Sequence, residues 1–431
     1  MEIALLIIVF VGLFALGVPI AVCIALSTLS TMVMTMDFMP AVTTIAQRMA
    51  GGLNSFALLA IPLFILSGQL MAQGGIARRL IEFSKAMIGM VPGGLAFVNV
   101  ISCTLFGAIS GSSIAATTAV GSFMIPEMKK EGYDSNFAAA ITVTSATTGL
   151  LIPPSNTLIV YAVASGGVSI AALFVAGYVP GILISIATII VCAIYARRHN
   201  FPAGERVPAR VAMKYTVAAL PSLFLIVLVI GGILAGIFTA TEAGAIAVLY
   251  ALLLSAVVYR EIGFADIASI CLKAAQTTAV VMFLIAASIA MSWILAYENI
   301  PAIVAETLVG ISDNPIVILL LINIVLLLVG IFMDMTPAVL IFTPIFLPVA
   351  MELGMSPLHF GIMLVLNLCI GLCTPPVGTI LFVGCALAKT TIDKMVRPML
   401  PMYAAMFVVL MLITYIPELS EGLPRFFGLI D

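Results

Sequence analysis

The sequence predicts an all-α polytopic membrane protein: an inverted-topology repeat with two re-entrant helical hairpins and two broken helices. Three observations predict it: the composition, two over-long apolar segments each interrupted near its middle, and a double-proline motif that recurs at a fixed offset. Of 431 residues, 63% are hydrophobic and 8% charged, against roughly 25% charged in a soluble domain. So few charges cannot cover a water-exposed surface, and the solvent for most of the chain is lipid.

A membrane-crossing helix takes about 20 apolar residues, which leaves room for roughly ten to twelve spans and little else. Apolar segments fall at 3–36, 54–73, 88–128, 136–165, 168–196, 216–236, 240–259, 275–297, 315–350, 357–388 and 398–417. The first lacks a basic leader or a cleavage site and reads as membrane-embedded. A break at Gly17 or Pro19 would divide it into two helices, matching the two spans at 216–259. With 17 basic and 19 acidic residues, net charge −2, the chain has no nucleic-acid footprint. Seven scattered cysteines in apolar surroundings argue against a disulfide framework, and Cys369 and Cys373 lack further metal ligands.

Segments 88–128 and 315–350 exceed one span. Ser110-Gly111-Ser112-Ser113 interrupts the first and Met333-Asp334-Met335-Thr336-Pro337 the second. Each reads as a hairpin that turns inside the membrane, where irregular backbone is tolerated only against protein or a water-filled cavity. Segments 136–165 and 357–388 carry Pro153-Pro154 and Pro375-Pro376. Paired prolines remove two backbone donors and push the preceding residue out of helical geometry, so both helices unwind there.

The two proline stretches match at a constant offset: Gly149 with Gly371, Leu150 with Leu372, Pro153-Pro154 with Pro375-Pro376, Thr157 with Thr379. Pro126 and Pro348, and Gly132 and Gly354, keep the same spacing. The chain is an internal duplication. Residues 1–197 form the first repeat: flanking helices within 1–85, hairpin 88–128, broken helix 136–165 and helix 168–196. Residues 198–215 connect to the second repeat, 216–431: flanking helices within 216–297, hairpin 315–350, broken helix 357–388 and helix 398–417. Lys85 and Lys129 flank the first hairpin, whereas Glu298, Glu306, Asp313 and Glu352 surround the second. With Arg197, Arg198, Arg206, Arg210, Lys389, Lys394 and Arg397 taken as cytoplasmic by the positive-inside rule, the repeats insert in opposite orientations and both termini face outward.

Discontinuous helices at corresponding positions of inverted halves point to a transport site, where unwound carbonyls coordinate cations and half-helix N-termini face anions. The tip from Gly107 to Ser113 groups hydroxyls and glycines as candidate cation or solute ligands; singly, such serines more often bond their own backbone. Asp334, at mid-segment, carries an insertion cost of about 3 kcal/mol and reads as a solute- or coupling-site residue in preference to a helix cap. Glu242 reads as an ordinary helix-start acid, and Trp293 and Tyr297 as interfacial anchors. His199 and His359 stand isolated and support no proton relay. No lysine lies in a phosphate-cradling loop, so no ATP-driven pump is encoded here. Paired intramembrane acids and a channel filter are also lacking, which disfavours a membrane protease or an ion channel.

Two hairpins, each followed by a Gly-x-x-x-Pro-Pro broken helix, with Phe106-Gly107-Ala108-Ile109-Ser110-Gly111-Ser112 in the first, resemble the large permease subunit of tripartite ATP-independent periplasmic (TRAP) transporters along the whole chain. The resemblance implies an elevator mechanism in the bacterial inner membrane, Na⁺ coupling, a separate small four-helix membrane subunit and a periplasmic substrate-binding protein. Carried onto this sequence, it implies two Na⁺ sites, one at Gly107, Ser112, Gly149, Ile152 and Pro154 and one at Gly330, Gly371, Thr374 and Val377. It implies an organic-acid solute near Ser112, Ser113, Ser155, Asn156, Thr157, Asp334 and Thr379. The absence of Lys or Arg at either tip favours a hydroxyl-rich sugar acid such as sialic acid over a C4-dicarboxylate. The alternative is a stand-alone Na⁺/divalent-anion symporter that needs no binding protein.

Overall fold

The computed structural model describes residues 2–199, 201 and 207–430; Arg206 of the connector lies outside them. Among the described residues there are twenty α-helices and no strand. The offset that relates the double prolines also relates the helices. Glu2–Ala15 and Ile20–Thr35 correspond to Ala209–Leu234 and Ala240–Leu252. The pair Phe38–Leu53 and Ala60–Gln73 corresponds to the single helix Phe264–Tyr297, and Ile76–Ile88 to Ile300–Ile311. The first segment is thus two helices, parted at Gly17, whose φ is +77°.

Four helices were not marked by apolar segments: Phe38–Leu53, Ile76–Ile88, Ile300–Ile311 and Glu418–Phe426. Ile76–Ile88 buries Ile76, Leu80 and Ile81 on one face and carries Arg78, Arg79, Glu82 and Lys85, a helical stripe too polar for a hydropathy window to register. Helix 398–417 begins earlier, at Ile392, with Pro398 and Pro401 inside it.

The first hairpin consists of Gly94–Ser110 and Ser113–Lys130, the second of Pro315–Phe332 and Met335–Glu352. Each turn is two residues: Gly111, at φ +60°, with Ser112 in the first, and Met333 with Asp334 in the second. The first broken helix runs Ser135–Ala146, closes with a 3₁₀ turn at Thr147–Leu150 and resumes at Asn156–Ala164; the second runs Pro357–Leu372 and resumes at Thr379–Ala388. Both Pro-Pro bonds are cis.

The returning arm of each hairpin packs on the resumed half-helix of the opposite repeat. Ser135 donates to the Ala388 carbonyl at 3.3 Å and Thr390 to Asn136, while Tyr161 donates to the Pro357 carbonyl. Each half-helix end is therefore pinned to the start of the other repeat's broken helix. The Cys369 thiol lies 3.5 Å from the Thr147 carbonyl, and these residues stand 222 apart. Equivalent positions of the two repeats touch, so the pseudo-two-fold axis passes between the two broken helices.

The same contacts sort the charges. At one end Arg78, Lys85, Glu127, Glu131 and Tyr215 line one hollow and Asp134, Tyr195, Lys394 and Arg397 another. At the opposite end Ser356 donates to Glu421, which pairs with Arg425 at 3.3 Å. By the positive-inside rule the first end is cytoplasmic. Trp293 and Tyr297 stack with ring centroids 5.2 Å apart, and the Arg48 guanidinium sits 5.2 Å above the Trp293 ring. Thr239 and Glu242 form a reciprocal capping box. His359 bonds the Ile413 carbonyl at 2.6 Å, a buried structural contact.

Glycine sets how closely hairpin and break meet. A Cβ on Gly149 would stand 2.2 Å from the Gly107 Cα, and one on Gly371 2.6 Å from the Gly330 Cα. Gly149→Ala therefore forces two backbones apart at a cost of about 1–3 kcal/mol, the usual penalty for overpacking. The purified variant is expected to melt below the parent; equal melting temperatures would mean that the hairpin and the break are not in backbone contact.

Candidate solute and cation site

The hairpin tips, the first break and two flanking helices enclose a cavity of about 210 Å³. Its lining includes Ser112, Ser113, Asn156, Thr157 and Asp334 from the sequence-predicted solute set. Three helices begin there, at Ser113, Asn156 and Met335. Each helix start presents backbone N–H groups without intrahelical partners and the positive end of the helix dipole. The cavity can therefore hold an anionic group although no Lys or Arg lines it.

Asp334 occupies the cap position of the second hairpin's returning arm but makes no side-chain capping bond. It is exposed and lines the cavity, and it forms no ion pair among the described residues. Its carboxylate oxygens are hydrogen-bond acceptors on the cavity lining, near the three helix starts. The Asn156 side-chain oxygen is buried without a hydrogen-bond partner.

Two predicted solute residues fall elsewhere. Ser155 is fully buried; its hydroxyl donates to the Leu150 carbonyl and accepts from the Leu158 N–H at 3.4 Å, so it holds the break together and has no face on the cavity. Thr379 does not line the cavity, and its hydroxyl oxygen is buried without a partner. Conversely, Ser110 and Thr336 at the tips and Gln69 and Thr277 on the flanking helices line it. Gln69 and Thr277 lie inside the apolar segments 54–73 and 275–297, where a polar residue was the one available signal.

The positions marked for cations sit at the two hairpin–break junctions. In the first, the Gly107 carbonyl oxygen would be 3.0 Å from a Cβ on Gly149, and the Pro154 carbonyl oxygen 3.1 Å from one on Gly111. Ile152 and Pro154 are buried there. In the second, the carbonyl oxygens of Leu372 and Thr374 converge to 2.9 and 2.8 Å from where a Gly378 Cβ would stand, and the Gly378 N–H donates to the Ile331 carbonyl at 3.2 Å. Gly330 meets Gly371 at this junction, and Val377 lies on the same stretch. The Thr374 hydroxyl instead donates to the Ile370 carbonyl at 2.7 Å. Among the described residues no group of three or more His, Cys, Asp or Glu could hold a metal ion. Neutral carbonyl oxygens suit a hard monovalent cation and not a transition metal. The residues present fit Na⁺.

An inverted repeat with paired hairpins and breaks around a partly polar cavity is a membrane-embedded fold of the kind transporters use. Structural comparison agrees: the crystal structure of the Alcanivorax borkumensis YdaH transporter superimposes with a TM-score of 0.64 at 15% identity, covering 91% of this chain and 90% of that one. The sequence profile described as the DctM component of the tripartite ATP-independent periplasmic transporter matches residues 7–419. The chain is 52% identical to the Salmonella typhimurium protein YgiK over 97% of its own length and 96% of that protein's. It is 37% identical to the Rhodobacter capsulatus C4-dicarboxylate TRAP transporter large permease protein DctM, over 97% and 98%. The chain belongs to the TRAP transporter large-permease family, and is a multi-pass protein of the bacterial inner membrane.

The geometry separates two neighbouring serines. Ser155→Ala removes a cap from a buried break and is expected to cost about 1 kcal/mol of stability, whereas Ser113→Ala is expected to leave the melting temperature unchanged while weakening transport. Equal effects of both variants on melting would contradict this division.

Proposed function

We propose that the chain is the large permease of a Na⁺-coupled importer of a hydroxylated organic acid, handed over by a periplasmic binding protein and moved by an elevator displacement of the hairpins and broken helices. A small four-helix membrane subunit on a separate chain completes the assembly. The observation that carries this reading is the cavity. Three helix starts offer an anion site without a basic side chain, and Asp334 and six lining hydroxyls and amides of the tips and first break address the rest of the solute. Relatives at 36–38% identity are named for C4-dicarboxylate, sialic acid, 2,3-diketo-L-gulonate and isethionate transport, so family membership alone leaves the solute open. A second carboxylate would stand against Asp334 with no basic side chain in the lining to balance it, which favours a sugar acid over a dicarboxylate.

Residues Gly107, Ser112, Gly149, Ile152 and Pro154 would hold one cation, and Gly330, Gly371, Thr374 and Val377 the other. When bound, Na⁺ supplies positive charge to carbonyls that have lost their amide partners and couples solute movement to the ion gradient. The protein's own part is to hold each tip on its break, orient the solute between the helix starts and keep lipid out.

Proteoliposomes carrying this chain with its small subunit and binding protein are expected to accumulate the solute only under an inward Na⁺ gradient. Uptake by the purified chain alone would instead identify the stand-alone Na⁺/anion symporter. Asp334→Ala is expected to abolish uptake while the protein still inserts; uptake near the parent level would remove Asp334 from the site. Ser112→Ala is expected to weaken the Na⁺ dependence, and an unchanged Na⁺ response would remove Ser112 from the cation set.

A further inference from the structure

The cavity has two unlike walls. The tips and first break provide Ser110, Ser112, Ser113, Asn156, Thr157, Asp334 and Thr336. The facing wall comes from one face of helix Ala60–Gln73, through Ile61, Ile65, Gly68 and Gln69, and from Thr277 and Val281 of helix Phe264–Tyr297. On this second wall Thr277 donates to the Lys273 carbonyl of its own helix at 3.0 Å. Gln69 is half-buried, and among the described residues its amide makes no hydrogen bond. A glutamine amide has two donors and an acceptor, so Gln69 brings an unmatched donor and acceptor to a wall whose other polar side chain, Thr277, is already bonded.

Its neighbour fixes where that amide stands. A Cβ on Gly68 would lie 2.7 Å from the Ser110 carbonyl oxygen; glycine lets the tip of the first hairpin rest against the helix backbone, with Gln69 beside it. The repeat shows that this seating belongs to one conformer. The repeat mates of Gly68 and Gln69 are Ala290 and Met291, and both are buried and absent from the cavity lining. The second tip shares the cavity instead with Thr277 and Val281, roughly ten residues nearer the basic end of that helix. At 1.5 Å per residue the core stands about 15 Å from its mirrored position, and so about 8 Å toward the cytoplasmic end from the position that would treat both tips alike. In the mirrored conformer the second tip would face Ala290 and Met291, and no amide.

We infer that Gln69 is a specificity-determining residue that contacts the solute only in the inward-displaced conformer, carried by a helix that stays behind when the core moves. This rests on the elevator reading proposed above. The contact is one-sided because the duplication has an amide at position 69 and a thioether at its mate.

The test uses the reconstituted three-component transporter with whichever of labelled N-acetylneuraminate, 2,3-diketo-L-gulonate, isethionate or succinate the parent carries. Gln69→Ala is expected to raise the half-saturating solute concentration about three- to tenfold for counterflow from the cytoplasmic face, the range for one or two lost hydrogen bonds. For uptake through the binding protein the shift should stay within about twofold, below what one lost hydrogen bond gives. An equal shift on both faces, or none on either, overturns the assignment. Gln69→Glu keeps the side chain's size should the alanine variant fold poorly; it adds a second acid to the cavity that Asp334 lines and should raise the cytoplasmic value alone, and a symmetric effect again overturns it. The underlying elevator reading fails separately. Bridging Ile65→Cys to Ile114→Cys with a short bifunctional thiol reagent joins the two walls and should stop transport, whereas full activity of the bridged protein would mean that the walls do not move apart.

Discussion

Each double proline takes two amide donors out of the broken helix, in a part of the chain where lipid supplies none. Backbone of that kind survives only where protein or a water-filled cavity surrounds it. The hairpins meet this demand: the first tip brings Gly111 against the Pro154 carbonyl, and the second accepts the Gly378 N–H on Ile331. Gly107 with Gly149 and Gly330 with Gly371 let each hairpin approach its break at backbone distance. The breaks and hairpins are therefore mutually obligatory, and the carbonyls that remain unpaired are positions where a cation has something to bind.

This dependence explains which features were legible in the sequence. Proline removes a donor wherever it stands, so Pro153-Pro154 and Pro375-Pro376 announced their breaks without tertiary information. Equal spacing then exposed the repeat, and lysine placement its inversion. The helix Ile76–Ile88 was not legible because its apolar stripe is diluted by four charges on its exposed face, and a window average discards periodicity. Ser155 and Ser113 looked alike, both being hydroxyls beside a forced turn. Only packing shows that one faces inward to the Leu150 carbonyl and the other outward to the cavity. Gln69 is a contact between segments distant in sequence, and nothing in its own neighbours marks which face of the helix meets the tips.

The same architecture can offer an anion site without a basic side chain. A lysine in the cavity would have to be dehydrated in a membrane-embedded site, at a cost of several kcal/mol for an unpaired charge. Helix starts offer partial positive charge fixed in the backbone, with no side chain to desolvate. Three of them converge because the first hairpin, the first break and the second hairpin each restart a helix at the same place.

Duplication gives the cavity its symmetry, and divergence gives it direction. Ser112 and Asp334 occupy equivalent caps of the two returning arms, yet one is a hydroxyl that accepts from the Ala115 N–H at 3.3 Å and the other a carboxylate that makes no side-chain capping bond. Asn156 reaches the cavity while its mate, Gly378, bonds the second tip and has no side chain to offer. A symmetric site would bind a symmetric solute equally well in either orientation. Here the first repeat lines the cavity with hydroxyls and amides, and the second tip with a carboxylate and a hydroxyl, so the lining is not symmetric. The fold's pseudo-symmetry relates the two tips, while the residues that face them on helices Ala60–Gln73 and Phe264–Tyr297 differ between the repeats.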